Sequence, residues 1–78
     1  MVVKAFVLIT VAIGKVKKVL DEINKIKNVK FAHVVTGAYD IIAFVEAEDL
    51  PSLTEVVVKN IHKIKGVVDT NTAIVVEV

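Results

Sequence analysis

Hydrophobic period in this chain changes from two to a helical spacing and back again, and does so twice. From Val2 to Ile13 the odd positions Val3, Ala5, Val7, Ile9, Val11 and Ile13 are all apolar, while the even ones mix Lys4 and Thr10 with Phe6 and Leu8. Period two with both faces partly apolar reads as a central strand. Beyond Gly14, Val16, Val19, Leu20, Ile23 and Ile26 recur at three- and four-residue steps among Lys15, Lys17, Lys18, Asp21, Glu22 and Lys25. That spacing predicts an amphipathic helix, ended by Asn28.

Val29 to Val35 and Ile41 to Ala47 are β-rich runs separated by Thr36-Gly37-Ala38-Tyr39-Asp40, so they read as a hairpin. Glu48-Asp49-Leu50-Pro51-Ser52 carries helix-start chemistry twice, with Asp49 as an N-cap ahead of Pro51 or Ser52 and Glu55 as a capping box. Leu50, Leu53, Val57, Ile61 and Ile64 then keep helical spacing, although the β-branched run Val56-Val57-Val58 is a poor helix former. Gly66 ends this helix, and Val67 to Val78 forms a last strand with Asp69, Asn71 and Glu77 on one face and Val68, Ile74, Val76 and Val78 on the other.

Strand, helix, strand, strand, helix, strand is the order of an α+β, ferredoxin-like βαββαβ domain. Right-handed crossovers put both helices on one face of a four-stranded antiparallel sheet. The other face, with Phe6 and Leu8 among its residues, is left as an apolar patch that a second copy would cover, giving a twofold dimer of the dimeric α+β barrel kind. Sheet edges offer a route to higher assembly.

Size points the same way. The 78 residues make one domain, 1–78, whose core is marginal without disulfides, metal or oligomerisation. With no Cys in the chain, disulfides, thiolate metal sites and Cys nucleophiles are excluded. A hydrophobic fraction of 55% is high, yet no apolar run approaches the roughly eighteen residues that span a bilayer. The start, Met1-Val2-Val3-Lys4, lacks the features of an export signal, so a cytoplasmic location is expected. The net charge of +1 supplies no field for nucleic acid, membrane or acidic partners. Every basic residue is Lys and Gln is absent, a composition that matches a thermophile source.

No catalytic constellation is present: there is no GxSxG elbow, no GxxxxGK[ST] phosphate loop and no GxGxxG fingerprint. No metal site or cofactor is expected, because neither His33 nor His62 has a second ligand at helical spacing. His33, on a strand, reads as a partly buried structural residue, and His62 as a solvated one. Asp21 and Glu22 are adjacent, point apart on a helix and do not make an acid–base pair. Lys15, Lys17, Lys18 and Lys25 read as a solvated helix face diluted by acidic neighbours. The βαββαβ order also suits RNA-binding domains, but the aromatic strand they use for stacking is missing, so direct nucleic-acid binding is not expected.

Two polar interruptions remain, Thr36-Gly37-Ala38-Tyr39-Asp40 and Asp69-Thr70-Asn71-Thr72. A Gly-containing turn brings backbone N–H groups close to a carboxylate, Asp40 accepts from an ammonium, and Thr hydroxyls do either. Those groups suit an amino-acid zwitterion. The same residues also make an ordinary hairpin turn and ordinary strand positions, and spacing does not choose between the two readings.

Val34-Val35-Thr36-Gly37-Ala38-Tyr39-Asp40 resembles the V-T/S-G-x-Y/F-D hairpin of the effector-binding (RAM) domain of the Lrp/AsnC transcriptional regulators. Gly66-Val67-Val68-Asp69-Thr70-Asn71-Thr72 is similar to that domain's G-V-x-x-T-x-T entry to the last strand, and the likeness runs from Val2 to Val78. The resemblance implies a non-enzymatic module that modulates transcription or amino-acid metabolism. It implies a homodimer assembling to an octamer or decamer, with amino-acid effectors held between dimers. In the family a helix-turn-helix domain precedes this one. Here the first strand begins at Val2, so a stand-alone module is expected, co-assembling with full-length regulators. Gly37, Ala38 and Tyr39 are implied as main-chain contacts to the effector, Asp40 as the partner of its ammonium or polar side chain, and Thr36, Thr70 and Thr72 as the rest of the pocket. Asn28 stands where relatives often have a Pro-Gly turn, and Ala73 where some carry a bulkier residue, which bears on pocket size. Two other readings stay open: a small barrel enzyme using His33 and Tyr39, and a purely structural oligomerisation module.

Overall fold

A computed structural model describes residues 2–78; Met1, the first residue of the expected domain, lies outside the described residues. The elements are β1 (Val3–Val11), α1 (Val16–Ile23), β2 (Val29–Val34), β3 (Ile41–Ala47), α2 (Leu50–Glu55) running on into a π-helical turn (Val56–Ile61), and β4 (Val67–Ile74). The strands form one sheet in the order β2-β3-β1-β4, every pairing antiparallel. This is the ferredoxin-like α+β topology expected from the alternating period.

The two faces of the sheet separate cleanly along β1. Ala5, Val7 and Ile9 are fully buried and form one cluster with Ile41, Ala43 and Val45 of β3, Val19 and Ile23 of α1, and Leu53, Val56, Val57 and Ile61 of the second helical segment. Both helices therefore cover the same face. On the opposite face the register sets Phe6 beside Phe44 and Phe44 beside Phe31, with Leu8, Ile42 and His33 in the next row. The Phe6 and Phe44 ring centroids are 4.9 Å apart, and Phe31 stacks on Phe44 at 5.3 Å. Among the described residues no element covers this row, and Phe31 remains 41% exposed. His33 is exposed instead of partly buried, because β2 is an edge strand and its ring lies on the uncovered face, 5.3 Å from Phe31.

Three boundaries differ from those expected. Helix α1 stops at Ile23, well before Asn28, because Lys25 and Ile26 donate backbone bonds three residues back, to Glu22 and Ile23. These tighter turns still bring Ile26 against the core. Asn28 then takes over the role of a turn residue: its side-chain amide donates to the Glu46 carbonyl at 2.9 Å and its own carbonyl accepts from Glu46 N–H. Strand β4 ends at Ile74, not Val78. Val75 N–H still bonds to the Lys4 carbonyl, and the regular ladder goes no further.

The second helix begins as capping chemistry dictates, with the Asp49 carboxylate accepting from Ser52 N–H at 2.8 Å and Pro51 in the first turn. It then widens. Across the β-branched run the bonding becomes π-helical, and His62 N–H reaches the Val57 carbonyl five residues back at 2.8 Å. Val56 and Val57 are consecutive and both buried, and the wide turn relieves the crowding of neighbouring β-branched residues in an α-helix.

Candidate functional site

Asp40 leads into β3 and is held against β1 by two bonds. Its N–H donates to the Ile9 carbonyl at 2.9 Å, and its carboxylate Oδ2 accepts from Val11 N–H at 2.8 Å. Pairing of β1 with β3 ends at Ile9–Ile41, so Val11 N–H, which points to the β3 side like the Ile9 carbonyl, lies beyond that ladder, and Asp40 satisfies it. One carboxylate oxygen is thus committed to the fold, and Oδ1 is not used in that bond.

The loop before it turns at Gly37, whose φ of +105° lies in the left-handed region. Thr36, Gly37 and Ala38 are exposed, and Tyr39 and Asp40 are half-buried. Tyr39 leaves the loop and crosses β1 to the edge strand, where its hydroxyl accepts from the Asn71 side-chain amide at 3.0 Å. Asn71 pairs with Leu8 and shares its uncovered face. The two polar segments singled out in the sequence are joined by this bond, through a residue, Asn71, to which the sequence reading assigned no role.

Thr70 and Thr72 lie on the other side. They pair with Ile9 and Val7, whose side chains are buried beneath the helices. Thr70 Oγ1 is 3.4 Å from His62 Nδ1, and Thr72 lines a cavity of about 250 Å³ with Leu53, Val57, Val58 and Ile74. Within one chain, then, Thr36, Gly37, Ala38, Tyr39 and Asp40 gather at one end of the sheet, and Thr70 and Thr72 face the helix layer. His62 is exposed, as its sequence context indicated, but its neighbour Thr70 could not be read from spacing because the π-turn sets the direction in which it leaves the helix.

The charged groups of the helices stay outside this region. Lys17 pairs with Asp21 at 3.2 Å, Lys25 with Glu22 at 2.9 Å and Lys59 with Glu55 at 3.6 Å, all on exposed surfaces where such pairs contribute little. The Glu22 carboxylate, hydrogen-bonded to Lys25, raises that ammonium's pKa above the usual lysine value. Among the described residues no group of three or more His, Asp or Glu side chains is arranged to hold a metal, and no helix is long and apolar enough to cross a membrane.

Comparison with known proteins places this geometry. Over 74 residues the chain is 35% identical to an uncharacterized HTH-type transcriptional regulator of Pyrococcus horikoshii, covering 95% of this chain but 47% of that regulator. The chain thus spans about half the length of the curated relatives it matches. The crystal structure of FFRP-DM1 superposes with a TM-score of 0.91 at 35% identity, covering 95% of this chain and 99% of that one. A transcriptional regulator of Neisseria meningitidis, solved in complex with L-Met, shares the fold with a TM-score of 0.87 at 17% identity, over 96% of this chain and 50% of that one. Residues 4–78 match the Lrp/AsnC ligand binding domain, and the chain belongs to that family.

Proposed function

We propose that this domain is a self-associating amino-acid sensor that modulates transcription or amino-acid metabolism, through effector binding between dimers and co-assembly with full-length Lrp/AsnC regulators. The observation that carries the reading is the Tyr39–Asn71 hydrogen bond, which ties the loop that leads into Asp40 to the edge strand. A loop with a left-handed Gly and a half-free carboxylate suits a zwitterion, the backbone N–H groups facing its carboxylate and Asp40 Oδ1 its ammonium. The L-Met complex of the Neisseria regulator, which has this fold, is in keeping with an amino-acid ligand.

Self-association follows from the uncovered sheet face. Phe6, Leu8, Ile42, Phe44 and Phe31 form a contiguous apolar surface, and a second copy laid on it buries ten such side chains symmetrically, twice these five. The candidate residues divided between the two faces of one chain then meet across neighbouring copies. A regulatory role is also the one its relatives' names carry, whereas an enzymatic reading would rest on His33 and on a Tyr39 hydroxyl already bonded to Asn71.

Light scattering with and without a pool of amino acids, followed by calorimetry with each one, tests the proposal. A closed oligomer whose mass or melting temperature responds to one amino acid supports it. Intact oligomers that bind no amino acid overturn the sensor reading and leave a structural assembly module.

A further inference from the structure

We propose that His33 makes self-association through the uncovered sheet face sensitive to pH: two copies close over a neutral imidazole and are held apart by a protonated one. This rests on the self-association reading above and adds a control to it.

The imidazole continues a row of aromatic rings. Phe6 lies 4.9 Å from Phe44, Phe44 stacks on Phe31 at 5.3 Å, and the His33 ring follows 5.3 Å from Phe31 with the two planes 30° apart. On the neighbouring strand the register sets His33 beside Ile42, and Ile42 beside Leu8. A second sheet laid over Phe31 and Ile42 therefore takes one flank of the His33 ring out of water. In the single chain that ring is exposed, and either protonation state is solvated there. Between two copies the charged form loses water to apolar neighbours that replace none of it, whereas the neutral form packs as the other aromatic rings do. Histidine is the side chain whose charge changes between about pH 5 and about pH 8.

The charges around it do not offset a proton. Asp40 immediately precedes β3 and has one oxygen held by Val11 N–H, and Glu46, near the far end of β3, stands opposite Lys4 of β1. Asp69 belongs to the distant edge strand β4, opposite Thr10, and the Tyr39 hydroxyl is bonded to Asn71. On β2 itself the other ionisable residue is Lys30, of the same sign as a protonated imidazole. Both helices lie on the opposite face of the sheet. Among the described residues the ion pairs are all between Lys and Asp or Glu of the helical segments, and His33 is in none of them. Protonation thus adds a charge without a counter-ion to a surface of Phe, Leu and Ile. Twofold symmetry brings one His33 from each copy, so below the histidine range the dissociation constant rises by up to about a hundredfold per pH unit. Assembly favours the neutral ring, and is therefore fully present above that range and lost as pH falls through it.

The test follows mass by light scattering over a dilution series of the full chain, at about pH 7.5 and about pH 5.5, on either side of the histidine range. Circular dichroism at both pH values separates dissociation from unfolding. The native chain is expected to dissociate at least about tenfold more readily at the lower pH. His33→Gln, neutral at both, loses that response. His33→Lys, charged at both, behaves at the higher pH as the native chain does at the lower. His62→Gln removes the other imidazole and keeps the native response. A native mass that is the same at both pH values throughout the dilution series, or that rises on acidification, overturns the proposal. So does a response that survives His33→Gln, which assigns it to Asp40, Glu46 or Asp69. Phe44→Glu separates this result from the reading beneath it. Assembly that ignores pH but is abolished by Phe44→Glu leaves the sheet-face association standing without a switch, whereas assembly that survives Phe44→Glu overturns both.

Discussion

The hydroxyl of Tyr39 accepts a hydrogen bond at 3.0 Å from the side-chain amide of Asn71, 32 positions later in the chain, and so bridges the hairpin loop and the edge strand over β1. Both partners are neutral and the bond is solvent-accessible, so its net contribution to stability is about 1 kcal/mol or less. Its larger effect is local, on a loop that has few other long-range ties. Tyr39→Phe is expected to lower the melting temperature only slightly but to speed hydrogen exchange at residues 36–39 markedly. Asn71→Ala gives the same result, and the double variant is no worse than either single one. Additive effects in that cycle would show the two residues to be uncoupled.

Asp40 behaves differently because its carboxylate serves the fold. It caps the Val11 N–H at 2.8 Å just beyond the end of the β1–β3 ladder, and Val11 itself is buried. Asp40→Ala leaves that donor without a partner and is expected to cost about 2 kcal/mol in chemical denaturation. Asp40→Asn keeps an oxygen acceptor and recovers more than half of the loss. Any loss of amino-acid binding in Asp40→Asn, measured where the protein is fully folded, then reports on the charge and not on the cap.

Where sequence and structure agree, period is the reason. Alternation along β1 separates Ala5, Val7 and Ile9 from Phe6 and Leu8, and the two faces of the sheet follow from that alone. Capping chemistry located the second helix as well, and Asp49 is the N-cap. The end of α1 was not legible, because Ile26 keeps its apolar spacing while the backbone beneath it changes from i→i+4 to i→i+3 bonding. The π-turn was hidden for a similar reason: Val56-Val57-Val58 signals crowding but not how a helix relieves it. Both polar segments stood out by composition. That Asn71 and Thr70 face opposite ways was implicit in the period of two, yet the partner each would find, Tyr39 or His62, depends on strand order and helix phase.

Two glycines with positive φ separate backbone strain from crowding. At Gly37, φ is +105° and an added Cβ meets nothing within 4 Å, so Gly37→Ala is expected to cost only the left-handed strain, about 1–2 kcal/mol. At Gly66, φ is +111° and the same Cβ lies 3.0 Å from both Lys15 Cβ and Val19 Cγ2. Val19 is fully buried and cannot withdraw. Gly66→Ala should therefore cost at least about 1 kcal/mol more than Gly37→Ala. Equal losses in urea denaturation would mean that α1 moves freely to accommodate the methyl group.

Asp49 gives stability a defined acid dependence. Hydrogen bonds from the Ser52 side chain and then from its backbone N–H hold the carboxyl below the usual aspartate range. A carboxyl depressed in the folded state stabilises above its unfolded pKa, about 3.9, and that stabilisation is lost as pH falls through the lower folded value. Asn at this position still caps the helix but does not titrate. Melting temperature in Asp49→Asn is therefore expected to fall less steeply below pH 4 than in the native sequence. Parallel acid limbs would place the titrating group elsewhere. Lys25 acts with the opposite sign: its raised pKa gives stability that is present below the unfolded lysine value and lost as pH rises through the folded one.

Phe44 is the centre of the uncovered row, 4.9 Å from Phe6 on one side and 5.3 Å from Phe31 on the other. Its neighbours in β3, Ala43 and Val45, point to the opposite face and are fully buried, so a change at Phe44 leaves the helix-covered core in place. Phe44→Glu puts a carboxylate where self-association would strip its water, and an unpaired charge in such an interface costs several kcal/mol. In an isolated chain the same carboxylate stays in solvent. The variant is therefore expected to keep its circular dichroism and a cooperative melt while its mass by light scattering falls to that of the 8.5 kDa chain. Phe44→Leu, apolar and smaller, should stay assembled. A Phe44→Glu protein that remains folded at the native mass would mean that copies associate through another surface, with the β4 edge next in line.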